Sequence, residues 1–466
     1  MFVIRNAEVD GRLVDVAIDG DRVAALGEAW SLPRAGEEID ARRGALLPGL
    51  HDHHVHLLAM AAARGSIQVG PPAVGTAAAL AAAIRAADAA APPGPWLRAV
   101  GYHESVAGAL GRDELDRMAI HHPVRIQHRS GAMWMLNSAA VEALGLDGIA
   151  HAGIERDRAG RPTGRLYGMD DWLRDRWPAQ PPDLAAIGAE LVRFGITGVT
   201  DATATTRAED AELLAGAVAT GALPRCILLT GGLDLDAAAA PSLPRGPVKL
   251  MVADHDLPGL EDLAASIAAA HQRGRAVAIH CVTRVALVLA IAAWEQAGVM
   301  KGDRVEHGAV APPEQASWLA RWQVTVVTQP SFVADRGDQY LTDVDAEDLP
   351  YLWPCRSLVE AGVALAASSD APLGNPDPWA GMAAAMARRT AGGQVLGPGE
   401  RLLPRAALDL YLAPLESPGG PPRRVAAGVD ADLVLLDVPL RDALHEPSAG
   451  HVEITFRAGQ PHSRLP

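Results

Sequence analysis

The sequence predicts an α/β protein, a TIM-type (β/α)8 barrel with a small β-sandwich built from both chain termini. Two observations carry this. Eight β-rich runs alternate with Ala-rich helical stretches, and strand–helix alternation favours a parallel sheet that eight units can close. Both ends of the chain instead show short β-rich runs broken by turns.

Residues 1–48 supply FVIRNAEV, DVAIDG and RVAALG, and residues 423–466 supply DADLVLLDV and VEITFRAG, so the two ends are expected to form one composite β-domain. The barrel is expected over 49–422. Its strands are the run ending at His56, then ITGVTDA, RCILLT, VKLMVAD, AVAIHCV, RVEHGAV, VTVVTQ and VALAASSD. Helices over 262–274 and 286–297 separate several of them. The stretch from about 95 to 185 exceeds one strand–helix unit and reads as an insertion after the first barrel strand. Pro and Gly clusters at 92–95, 371–378 and 417–422 mark loops.

Composition narrows the function. With 49% hydrophobic residues the chain can bury a large core, and its formal charge of −15 is spread without a tail, which speaks for solubility and against nucleic-acid binding. Three scattered cysteines, Cys226, Cys281 and Cys355, give no disulfide framework, and Cys281 reads as core. The first residues lack a basic segment followed by an apolar one, and no apolar stretch reaches about 18 residues. A soluble cytoplasmic protein with no membrane partner is expected.

Lysine occurs only at Lys249 and Lys301, against 39 arginines. Lys301 lies in a polar turn. Lys249 lies inside the apolar run Pro247–Val252, where an unpaired ammonium is costly. Arginine replaces lysine in most surface roles, but not where a nucleophilic, neutralisable amine is needed.

The residues at the C-terminal ends of the strands form a set. Strand one gives His54 and His56, which share a face at i and i+2. Strand four gives Lys249, strand five His280, strand six His307 and strand eight Asp370. The spacings of 31 residues (Lys249 to His280), 27 (His280 to His307) and 63 (His307 to Asp370) correspond to one, one and two strand–helix units. Active sites of such barrels sit at this end. A plain lysine, salt-bridged to Asp201 or Asp254 beside a single metal, is the alternative at Lys249. Asp52 is a candidate to orient a ligating histidine. His51, His53, His121, His122 and His255 read as polar surface residues or outer partners of the site.

The motifs ALLPGLHDHHVHL, PVKLMVAD, RAVAIHC, DRVEHGA and AGVALAASSDAPLGNPDPWAGM, in this order, resemble the amidohydrolase superfamily, and within it the YtcJ-like (amidohydrolase 3) branch. The resemblance spans nearly the whole chain. It implies a binuclear metal centre, most often two zinc ions, with His54, His56 and Asp370 on one ion and His280 and His307 on the other. Lys249, carboxylated to a carbamate, would bridge them. The implied reaction is hydrolysis of a C–N bond in an N-acyl, N-formyl or cyclic amide by metal-activated water, with Asp370 as general base and acid. Barrels with this end-domain commonly self-associate, so a small-molecule substrate and a second copy of the chain are the implied partners.

The surroundings of the ligands depart from the branch at Ala253-Asp254-His255-Asp256, at Cys281-Val282-Thr283-Arg284 and at Ala132, so the resemblance does not carry the substrate. Tyr102, His103, Trp134, Tyr167, Gln329 and Trp379 are the candidate substrate contacts. Competing readings are an esterase or lactonase, a deaminase on the same site, or a non-catalytic binding relative. Against the deaminase, no Glu follows His280 until Glu295.

Overall fold

The computed structural model describes residues 2–463 except 35, 72, 93–95, 119–120, 178–181, 225, 234, 236–239 and 255–256; the side chains of 171, 226–230 and 463 also lie outside the description. The chain divides into two compact units, residues 1–57 with 184–466, and residues 58–183.

The first unit is built on one eight-stranded sheet. Its strands are β1 (Leu50–Val55), β2 (Ile196–Asp201), β3 (Cys226–Gly231), β4 (Arg245–Met251), β5 (Val277–Cys281), β6 (Arg304–His307), β7 (Thr325–Thr328) and β8 (Leu365–Ala367). They follow one another in sequence order across the sheet, and every neighbouring pair is parallel. Each β-rich run read from the sequence thus supplies one strand. Parallel strands covered on both faces are buried throughout, and β1 and β2 have no exposed residue.

The helices between the strands show ordinary start signals. Thr283 caps the helix Arg284–Ala297 by accepting from the Ala286 N–H at 3.2 Å, and that helix buries Leu287 and Trp294. Asp377 caps Pro378–Ala387 through the Trp379 N–H at 2.8 Å. The chain leaving β8 is tied to β1. The Asp370 N–H donates to the His54 carbonyl and the His56 N–H to the Ala371 carbonyl, each at 2.9 Å.

Both termini join the first unit. One four-stranded sheet runs in the order Arg22–Glu28, Arg12–Asp19, Phe2–Val9, Glu38–Asp40, and a second in the order Gln460–Ser463, Val452–Arg457, Leu433–Leu436, Leu46–Pro48. Ile4, Val16 and Ile18 of the first share one apolar core with Leu433, Leu435 and Phe456 of the second.

The second unit begins at Leu58, well before residue 95. Strand Ile67–Gln68 pairs with Leu97–Tyr102 in a six-stranded mixed sheet, and helix Ala77–Ala90 packs Leu80 and Ile84 into the same core as Ile126 and Met135. Those early residues have their apolar partners in this unit, so they fold with it. Among the described residues no helix is long and apolar enough to cross a membrane.

Candidate metal centre

His54 lies one residue before the end of β1 and His56 directly follows the strand, so the two rings project together from one strand end, their centroids 5.3 Å apart. His307 ends β6 with its ring 5.0 Å from that of His54, and His280 of β5 lies 4.4 Å from His307. The four imidazoles form one continuous row. Asp370 joins it from the turn after β8, with Oδ1 3.4 Å from His54 Nε2 and 3.2 Å from His56 Nε2, and Oδ2 4.0 Å from His307 Nδ1. His54, His307 and Asp370 each offer a ligand atom within 4.8 Å of the others'. This group combines residues that the sequence reading assigned to different ions.

The residues present fit a cation. Asp370 Oδ1 is buried and makes no hydrogen bond although two ring nitrogens crowd it, as lone pairs do around a space for positive charge. His307 and Asp370 both adopt left-handed backbone, with φ of 71° and 55°. Such conformations cost of order 1–3 kcal/mol each and persist where the surroundings demand a particular side-chain direction. Burial lowers the pKa of His54 to about 3 and that of His280 to about 2, with Lys249 and His307 respectively adding repulsion, so both rings are neutral donors near pH 7.

Lys249 lies on β4, 5% exposed, and its Nζ has no hydrogen-bond partner. Neither Asp201 nor Asp254 pairs with it. Asp201 accepts from the N–H groups of Leu57 and Thr203 at 3.0 Å each, and Asp254 accepts from the Thr283 hydroxyl. The salt bridge considered from the sequence is thus not formed among the described residues. Burial pulls the Lys249 pKa down against the attraction of Glu306 and Asp370.

Three residues that ligand spacing did not single out for this role stand behind the imidazoles. Glu306 accepts from His54 Nδ1, Thr203 Oγ1 lies 2.9 Å from His56 Nδ1, and Gln329 Oε1 lies 2.8 Å from His307 Nδ1. Gln329, expected at the substrate, is fully buried and donates to Ser368 Oγ at 2.9 Å. Glu306 also accepts from Arg304 Nε. Burial alone would raise the Glu306 pKa, but Arg304, Lys249 and His54 outweigh it and hold the carboxyl well below the usual range. The sequence signal for this pair is Arg304 and Glu306 at i and i+2, two charges on one face of a wholly buried strand.

Other candidates have local engagements. Trp379 is buried and its indole N–H donates to the Phe194 carbonyl at 3.0 Å. In the second unit, the buried Tyr102 donates to the Gly108 carbonyl at 2.6 Å, and His103 caps helix Glu104–Ala107. Trp134 donates to Asp170 at 2.9 Å, and the exposed Tyr167 hydroxyl reaches Glu155 at 3.2 Å. Asp52 braces backbone rather than a ring, accepting from the His54 N–H at 3.2 Å and the Ser369 N–H at 3.1 Å. His51, His53 and His122 are buried, contrary to the surface reading, while His255 lies outside the described residues. Cys281 is buried as expected, and burial pushes its thiol pKa up.

A model of the amidohydrolase family matches residues 37–462. The chain is 26% identical to the N-substituted formamide deformylase of Arthrobacter pascens, over 91% of this chain and 89% of that protein. It is 25% identical to the putative amidohydrolase YtcJ of Bacillus subtilis (strain 168), over 88% and 87% respectively. An uncharacterized metal-dependent hydrolase from Pyrococcus horikoshii OT3 superposes with a TM-score of 0.72 at 18% identity, covering 99% of both chains, which establishes likeness of fold.

Proposed function

This chain belongs to the amidohydrolase family, and from that premise we propose that it is a metal-dependent hydrolase cleaving the C–N bond of an N-formyl, N-acyl or cyclic amide. The observation that carries the metal is the convergence of the His54 and His56 rings on Asp370 Oδ1, a buried carboxylate oxygen without a hydrogen bond. The N-substituted formamide deformylase among the relatives favours small N-substituted amides over other C–N substrates.

In this reading the eight-stranded sheet closes as a (β/α)8 barrel, with the two terminal sheets as a sandwich beside it. His54, His56, His280, His307 and Asp370 would hold two divalent ions, zinc being the family's usual metal. When bound, such ions lower the pKa of water and polarise a carbonyl group. Asp370 takes a proton from the attacking water on a carboxylate oxygen and delivers it to the departing amine nitrogen.

Lys249 serves as the carbamate. Its neutral amine would attack carbon dioxide: the N–C bond forms as one C=O π bond breaks, one N–H proton leaves to water, and a neutral amine becomes an anionic carbamate. The orphaned Nζ and its lowered pKa support this, since both favour the free amine over the ammonium.

The test is metal analysis of gently purified protein, followed by assay of N-substituted formamides, N-acyl amines, cyclic amides, esters and lactones. Near-stoichiometric zinc, manganese or iron with turnover of an amide is expected. Protein without such metal, or active on esters and lactones alone, overturns the proposal.

A further inference from the structure

We propose that Glu306, held by Arg304, is a positioning residue that fixes the ring of His54 for metal binding. The inference rests on the metal-centre reading above.

A carboxylate can only accept, so the hydrogen of His54 must sit on Nδ1, facing Glu306, and Nε2 is left as the bare donor beside Asp370. Thr203 and Gln329 stand in the corresponding places behind His56 and His307, but both are neutral. Glu306 alone of the three brings charge, and a charged acceptor raises the ligand strength of an imidazole most. The backbone of His54 is pinned separately, by Asp52 at its N–H and by the Asp370 N–H at its carbonyl. What Glu306 adds is the tautomer and the ring angle.

Arg304 explains how a fully buried carboxylate stays ionised. The two residues share a face of β6, and Arg304 Nε donates to one Glu306 oxygen while His54 engages the other. Yet Arg304 Nη1 and Nη2 have no hydrogen-bond partner, although the residue is 1% exposed. A pair present only for stability would be poorly designed, because a buried ion pair of this kind is commonly matched by well-packed apolar residues. Its geometry makes sense as a device for keeping Glu306 anionic behind His54.

The experiment is a Co²⁺ titration of metal-free protein, reading the dissociation constant by chelator competition and the d–d absorption spectrum, with the melting temperature in chelator as control. Glu306→Gln is expected to weaken binding by about 10- to 100-fold and shift the spectrum. Because Glu306→Gln alone strands the Arg304 charge, the neutral pair Arg304→Gln with Glu306→Gln is measured beside it, and it is expected to keep the wild-type melting temperature and show the same weakening. Wild-type affinity and spectrum in the neutral pair overturn the proposal. So does ¹⁵N-histidine NMR of the wild-type chain that finds His54 protonated on Nε2, a measurement needing no folded variant. A wild-type chain that binds no Co²⁺ overturns the metal-centre reading and this inference together, whereas a binding wild type with unaffected variants overturns this inference only.

Discussion

The Nδ1–H of His307 meets the amide oxygen of Gln329 at 2.8 Å, while the Gln329 amide nitrogen donates to Ser368 Oγ at 2.9 Å. Gln329 is thereby held in one orientation and sets the tautomer of His307. Gln329→Ala is expected to lower metal affinity and kcat by about 10-fold each and leave KM nearly unchanged, as loss of an outer-shell partner does. Chelator competition and steady-state kinetics check this. A raised KM with unchanged metal affinity would place Gln329 at the substrate instead.

Lys249 gives a prediction in which stability and activity part company. Its buried Nζ lacks a partner, so in metal-free protein the side chain is a liability. Lys249→Met is expected to melt, in chelator, at or above the wild-type temperature. The same variant loses activity by about 100- to 1000-fold, the range for removing one preorganised electrostatic group. Lys249→Arg should be equally inactive, because a guanidinium does not form a stable carbamate. Full turnover with two bound metals in either variant is the contrary result.

What could be read from the chain, and what could not, follows from distance along it. Each barrel strand is a local β-rich run, and His54, His56, His280 and His307 sit at strand ends, where position alone suggests a role. The Arg304–Glu306 pattern marks a charged face but not its partner, because His54 is 252 residues away and only the sheet brings them together. His51 and His53 misled because a histidine-rich tract looks solvated, yet on a strand covered on both faces even polar side chains are buried. The start of the second unit was missed because Leu80 and Ile84 look like any helix core; their partners Ile126 and Met135 come much later.

Gly374 makes the placement of Asp370 testable without touching a ligand. A Cβ at this position would lie 2.2 Å from the Ser369 carbonyl oxygen and 2.6 Å from Phe332 Cε1. The Gly374 N–H also closes the turn on the Asp370 carbonyl at 3.2 Å. Because the obstacle is backbone, Gly374→Ala must open this turn and displace a residue already held at φ 55°. We expect a loss of about 1–3 kcal/mol in stability and up to about 100-fold in kcat, the cost of a displacement near 1 Å. A variant with wild-type melting temperature and kcat would show that the turn yields freely.

His122 and Asp88 provide a pH-dependent element within the second unit. His122 Nδ1 lies 2.7 Å from Asp88 Oδ1 and Nε2 lies 3.0 Å from the Pro92 carbonyl oxygen, so both ring nitrogens face acceptors and only the protonated ring satisfies both. Asp88 first, then Pro92, raises the His122 pKa against the effect of burial. Burial would raise the Asp88 pKa, but His122 and two backbone N–H groups outweigh it and lower the value. The His122 contribution is therefore full below its unfolded pKa of about 6.5 and lost as pH rises through the higher folded value; the Asp88 contribution is full above about 3.9 and lost as pH falls through the lower folded value. Between these limits both are present, and the wild-type melting temperature is expected to decline on the alkaline side as His122 deprotonates. His122→Gln should melt lower near pH 6 and show a flatter alkaline slope. Parallel melting curves across the whole range, or an NMR titration placing His122 below 6.5, would contradict this assignment.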